Sequence, residues 1–204
     1  MKKSIGIKIA VGLGALTIFA FLFMRSLDDA RTTPYTVEPQ YLETWTLALE
    51  PASSPNEPLL VLRPVSELAG GLFRQVFARA MESLTAPAAP AIPVVLRGEF
   101  DGLGDRLTGE ALLAGARTAK LETARITPQC LVHRRVSQPG ITRQAYFVLF
   151  DAPAIAQFRQ QLGLDPKALS SILFVAGAGP DFNSWLPQRA SAEADCLAPI
   201  EIAK

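Results

Sequence analysis

The chain of 204 residues carries 20 Lys or Arg, 19 Asp or Glu and one His, for a formal net charge of +1. That balance argues against nucleic acid as the main partner, which calls for a basic stripe, and a single histidine excludes a zinc site built from several imidazoles. No segment recurs at a period of about 20–50 residues, so a solenoid or propeller is not indicated.

The N-terminal run Ile5–Met24, IGIKIAVGLGALTIFAFLFM, contains one charge, Lys8. At about 1.5 Å per residue it is long enough to span roughly 30 Å, the thickness of a bilayer core. The run therefore predicts one transmembrane helix, with Lys8 able to bend its ammonium back to the headgroups. Lys2, Lys3 and Lys8 precede it and Asp28 and Asp29 follow it, which places the N-terminus in the cytoplasm and the remainder outside. A cleaved signal peptide is the rival reading. Against it, Phe21–Arg25 is bulky where a peptidase needs small residues, and Asp28 occupies a small-residue position if Ala30 were the last one removed.

The expected organisation is a cytoplasmic stub over 1–4, an anchor over 5–24, a tether over 25–40 and one extracytoplasmic domain over 41–204. The fold class expected is α+β, a single N-terminal transmembrane helix followed by a globular domain with a mostly antiparallel sheet and helices packed on one face. Glu43–Glu50 alternates Trp45, Leu47 and Leu49 against Thr44, Thr46 and Ala48, the pattern of a half-buried strand. Pro51–Pro58 is a proline-rich loop, and Leu59–Arg63 a second strand stopped by Pro64. Ser66–Leu84 is predicted helical with Ser66 as cap, its apolar residues falling at i, i+3, i+4 spacing. Gly70 and Gly71 cost about 1 kcal/mol each there relative to Ala, which points either to a close approach by a neighbour or to a later helix start. Phe73, Phe77 and Met81 invite a ligand-groove reading, but such a stripe is more often core.

Thr85–Pro93 is an Ala/Pro hinge of extended character, and Val94–Phe100 is predicted as a strand. Asp101–Glu110 is an acidic, glycine-rich turn. Read as a calcium loop from Asp101, it puts Leu103 and Leu112 where oxygen ligands belong, so no metal is expected. Thr108–Ala119 is predicted helical and Leu121–Thr127 a strand. Gln129–Val136 and Ile141–Phe150 flank Ser137-Gln138-Pro139-Gly140, a type II turn signature. The second arm ends apolar on both faces, as a central strand does. Asp151 then caps a helix containing Pro153, with Ile155, Phe158 and Leu162 inward and Gly163 at its end. Asp165-Pro166 opens a short helical turn and Ile172–Ala176 is a buried strand. From Gly177 the pattern dissolves. Gly177 and Gly179 form a plain turn rather than an anion cradle, and Trp185 is expected to plug a sheet edge.

Cys130 and Cys196 are the only cysteines. In an exported domain they are candidates for a disulfide, the alternative being two buried thiols. His133 lies on the opposite strand face from Cys130, so the two make no nucleophile–base pair, and a structural role is preferred for it. His133, Asp101 and Asp105 are nevertheless the catalytic candidates. Arg134, Arg135 and Arg143 share the hairpin and could present a cationic surface to an acidic partner. No cofactor is expected. The leading expectation is a binding or assembly domain that meets the membrane through residues 5–24 and contacts another envelope protein. The alternatives are a membrane-tethered hydrolase and a receptor for a small ligand between the Ser66–Leu84 helix and the sheet.

Overall fold

The computed structural model describes residues 14, 16–25, 33–80, 82–104, 107–138, 141–178 and 190–203. The chain divides into two units, residues 1–33 and 34–204. In the first, residues 16–25 are helical and rise about 15 Å, half of what a bilayer core requires. Residues 5–13 and 15 of the predicted anchor lie outside the described residues. Among the described residues no helix is long and apolar enough to cross a membrane. This overturns the expectation of a single-pass transmembrane anchor, and with it the cytoplasmic N-terminus and extracytoplasmic domain inferred from it.

The second unit begins inside the supposed tether. Strand β1 (Tyr35–Val37) and a 3-10 turn (Pro39–Leu42) precede β2 (Trp45–Leu49), β3 (Pro58–Pro64), helix α1 (Ser66–Arg79) and β4 (Ile92–Leu96). Next come α2 (Arg97–Gly102), α3 (Gly109–Thr118), a 3-10 turn (Leu121–Thr123), β5 (Thr127–Gln138) and β6 (Ile141–Asp151). Helix α4 (Pro153–Gln161), β7 (Ile172–Ala178), α5 (Ala192–Asp195) and β8 (Cys196–Ile202) complete it. Two sheets form, a five-stranded one in the order β1-β8-β5-β6-β7 and a three-stranded one in the order β2-β3-β4. β1 runs parallel to β8, with Tyr35 opposite Ile200, while the other pairings are antiparallel. The class is thus α+β, with a mixed sheet, antiparallel except at the β1–β8 pair, beside a second, antiparallel one rather than a single sheet.

Side-chain alternation along β5, β6 and β7 decides what is buried where. Leu131, Tyr146, Val148, Phe150, Leu173 and Val175 point into the main core, where they meet Leu68, Leu72 and Val76 of α1 and Ile155 and Phe158 of α4. The three-stranded sheet adds Leu60, Leu62, Ile92 and Val95 to the same core. Cys130, Val132, Phe147, Leu149, Ile172 and Phe174 face the other way, and Ala190 packs on them. The doubly apolar segment AYFVLF is central for that reason. Trp45 sits edge-on to Phe150 at 5.8 Å and donates its indole N–H to the Leu42 carbonyl at 3.0 Å.

Local chemistry moves several predicted boundaries. The predicted strand Val94–Phe100 breaks after Leu96, because the Glu99 carboxylate accepts the Leu96 N–H at 2.9 Å and starts α2 there. Leu121–Thr127 is a 3-10 turn and an extended link, with β5 starting at Thr127. α1 is preceded by Val65 with no side-chain cap and ends at Arg79, where Ala80 turns extended. Ala152, not Asp151, sits at the N-cap of α4. β5 and β6 remain paired out to Gln138 and Ile141, while the turn residues Pro139 and Gly140, like Gly179 and Trp185, lie outside the described residues.

Two features fix the domain internally. Cys130 and Cys196, 66 positions apart in sequence, form a disulfide with Cα atoms 5.6 Å apart, worth about 4 kcal/mol in the chain-entropy account. Arg159 of α4 is fully buried at 0% exposure. Its guanidinium donates to both Glu99 oxygens at 2.5 and 2.9 Å, to the Val94 carbonyl at 2.8 Å and twice to the Asp165 carbonyl at 2.9 and 3.3 Å. All five N–H groups of the guanidinium are thereby used.

Candidate docking groove

Helix α1 buries Leu68, Ala69, Leu72 and Val76, leaving Phe73 at the margin of the core and Phe77 beyond it. The two rings lie 5.7 Å apart, and Phe77 is 51% exposed. Its neighbour Val76 is buried at 1% exposure, so Phe77 lies off the buried face of the helix. The predicted close approach at the glycine pair is absent. A Cβ on Gly70 or Gly71 would meet nothing nearer than the Arg74 guanidinium, at 3.6 and 3.9 Å. Gly70 leaves the helix surface open beside Phe73 instead of admitting a neighbour.

The opposite wall is the Ala/Pro segment after α1. Thr85 donates to the Gly177 carbonyl at 2.8 Å and accepts the Gly177 N–H at 3.0 Å, which pins the segment across the end of β7. Pro87 and Pro90 have no N–H to offer and hold the backbone extended. Between this wall and α1 lies an open groove of about 380 Å³, with Ala69, Gly70, Phe73, Pro87, Pro90 and Val175 among its lining. On the far side of the same wall a second groove, of about 360 Å³, runs past Pro58, Val61 and Phe174. Arg63 lines the first and Glu50 the second, and the two are joined by an ion pair at 2.5 Å.

The predicted site residues do not converge. His133 stacks on Tyr146 with ring centres 4.3 Å apart and planes 10° from parallel. Its Nε2 lies 3.4 Å from Gln144 Oε1, and the Gln144 amide donates in turn to the Glu82 carboxylate. Burial, followed by the charge of Glu82 and the neighbouring Tyr35, raises the Tyr146 phenol against a smaller lowering by Arg135. Tyr35 is raised by burial too, opposed by Arg79, whose guanidinium sits 4.1 Å over its ring. Asp101 is elsewhere, on α2, in an exposed ion pair with Arg97 at 3.0 Å. Asp105 lies outside the described residues.

The three hairpin arginines are divided by the pleat. Arg135 pairs with Gln144 on the His133 face, whereas Arg134 and Arg143 are on the opposite face. Arg134 is bound to Asp195 at 2.9 Å, and Arg143 Nε is buried without a hydrogen-bond partner among the described residues. Hydrogen bonds from the Ser191 amide and from Arg134 hold the Asp195 carboxyl below its ordinary value. Among the described residues no group of three or more His, Cys, Asp or Glu is placed to hold a metal ion.

Sequence reasoning raised the Phe73–Phe77 stripe and set it aside as core, and it treated the Ala/Pro hinge as a connector. The signal that links them is the glycine pair one turn before Phe73 on a helix followed by proline-rich chain. Models of known protein families give no match to the chain, and neither do curated proteins or solved structures.

Proposed function

We infer that residues 34–204 form a binding domain that receives an apolar segment of a partner protein in the groove between α1 and Ala86–Pro90. The observation that carries this reading is the Phe73–Phe77 pair: Phe73 lines an open, largely apolar groove, and Phe77, half exposed, lies with its ring 5.7 Å from that of Phe73. Aromatic anchors beside an apolar hollow are the composition of interface centres, and a wall of Ala and Pro loses little conformational entropy when a partner docks. A hydrolase draws less support. His133 is spent on Tyr146 and Gln144, and Cys130 is committed to a disulfide, so neither supplies an activated nucleophile.

Photocrosslinking in the native cell tests the reading. A crosslinking residue at Phe77 or Ala88 is expected to trap one protein species, and the same residue at exposed Glu193 is not. Equal yields from all three positions, or none from Phe77 and Ala88, would refute it.

A further inference from the structure

β8 meets β5 at three register positions, Cys130 with Pro199, Leu131 with Ala198 and Val132 with Cys196, and the register slips between the last two. β5 meets β6 along its whole length, from Thr127 opposite Asp151 to Gln138 opposite Ile141. Among the described residues β1 pairs with β8 alone, aided by the bond from the Ala203 N–H to the Val37 carbonyl at 2.9 Å. β8 is thus joined to β5 by a short, irregular ladder, whereas β1 is also held to α1, where Gln75 accepts the Thr36 N–H at 2.9 Å and donates to the Thr36 carbonyl at 2.7 Å. The disulfide crosses that ladder. Its two cysteines differ in access, since Cys130 is buried at 3% exposure while Cys196 is an exposed residue.

We propose that the Cys130–Cys196 bond is a redox-operated latch, whose reduction by a dithiol frees β8 from β5 while the rest of the domain stays folded. A thiolate of the dithiol attacks Cys196 Sγ on its exposed side. A mixed disulfide forms there, and Cys130 Sγ leaves as a thiolate and takes up a proton. The second thiol of the reductant then displaces Cys196, which is also protonated. Two electrons pass to the protein and the reductant departs as its own disulfide. The unlatched β8 withdraws Ala198 and Ile200 from the main core and leaves the Cys130–Val132 edge of β5 unpaired, a template for another strand. The remaining fold does not depend on the latch: β5, β6 and β7 keep their pairing, and Arg159 still ties α4 to Glu99.

Hydrogen exchange on the full chain, with and without dithiothreitol, reads the latch directly. Exchange over residues 130–132 and 196–203 is expected to rise at least tenfold on reduction, with β6, β7 and α4 unchanged. The double variant Cys130→Ala/Cys196→Ala should show the reduced pattern without reductant. Unchanged exchange after verified reduction would overturn the proposal, and so would a loss of protection spread evenly over the domain, which would make the bond a global staple.

Discussion

The Arg159 guanidinium lies face to face with the Glu99 carboxylate, bonded through both nitrogen termini to both oxygens, and Arg159 is the largest fully buried side chain of the domain. Glu99 also accepts the Leu96 N–H, so one carboxylate starts α2 and anchors α4. Removing one partner of such a pair strands the other charge. Arg159→Met should therefore cost about 3–5 kcal/mol, measured as a lower urea midpoint at unchanged slope. Arg159→Lys should recover only part of this, because an ammonium cannot make the fork-shaped contact. A loss below about 1 kcal/mol for Arg159→Met would show that the pair behaves like an exposed one.

The same pair gives the domain an acid-sensitive component. Burial alone would raise the Glu99 carboxyl. Hydrogen bonds from Arg159 and Leu96, with the Arg159 charge, outweigh it and hold the group below its ordinary value. A carboxyl lowered in the folded state contributes stability in full above its unfolded pKa and loses it as pH falls through the folded one. Between about pH 6 and about pH 3 the wild type should lose more stability than Glu99→Gln, which has no such group to protonate. Asp195 and Glu57, lowered chiefly by backbone N–H bonds from Ser191 and Ser53, lose stability in the same direction in both proteins and cancel from the comparison. Identical acid slopes for the two would sink the assignment.

Legibility followed periodicity and length. The β5–β6 hairpin, α1 and α4 carry patterns long enough to fix both type and buried face. β1 is three residues long, and β8 mixes exposed and buried positions around Pro199, so neither rises above loop sequence until a neighbour strand pairs with it. The error at Val94–Phe100 has a different source. The apolar run Val94–Leu96 does form a strand, but its continuation is overruled by Glu99, whose partner Arg159 is 60 positions away. Phe77 misled because helical spacing shows which residues share a face, not where the edge of the buried stripe falls: Val76 is buried at 1% exposure while Phe77, like Phe73 one turn earlier, lies off it. The anchor was inferred from hydropathy over Ile5–Met24, whereas the described helical residues 16–25 are too few to span a bilayer.

Gly70 and Gly71 are predicted to be stability left unclaimed for the sake of shape. Neither has a left-handed backbone, and a methyl on either meets only the mobile end of Arg74. Gly70→Ala and Gly71→Ala should each raise stability by about 0.5–1 kcal/mol, the ordinary helix gain. Only Gly70 lines the groove beside Phe73, so Gly70→Ala should also lower the crosslinking yield from Ala88, and Gly71→Ala should not. A destabilised Gly70→Ala would reveal a contact on this face that the geometry does not contain.

Phe77 and Leu72 lie on one helix and should separate binding from folding. Leu72 is 1% exposed in the main core, so Leu72→Ala should cost about 2–5 kcal/mol through lost contacts and the cavity left behind. Phe77 keeps half its surface in solvent, and Phe77→Ala should change stability by no more than about 0.5–1 kcal/mol. If the groove is the docking surface, Phe77→Ala nonetheless removes most of the crosslinking from Ala88 in a protein with a nearly unshifted thermal midpoint. The reverse pattern, a large fall in midpoint with crosslinking intact, would return Phe77 to the core and leave the groove without its anchor.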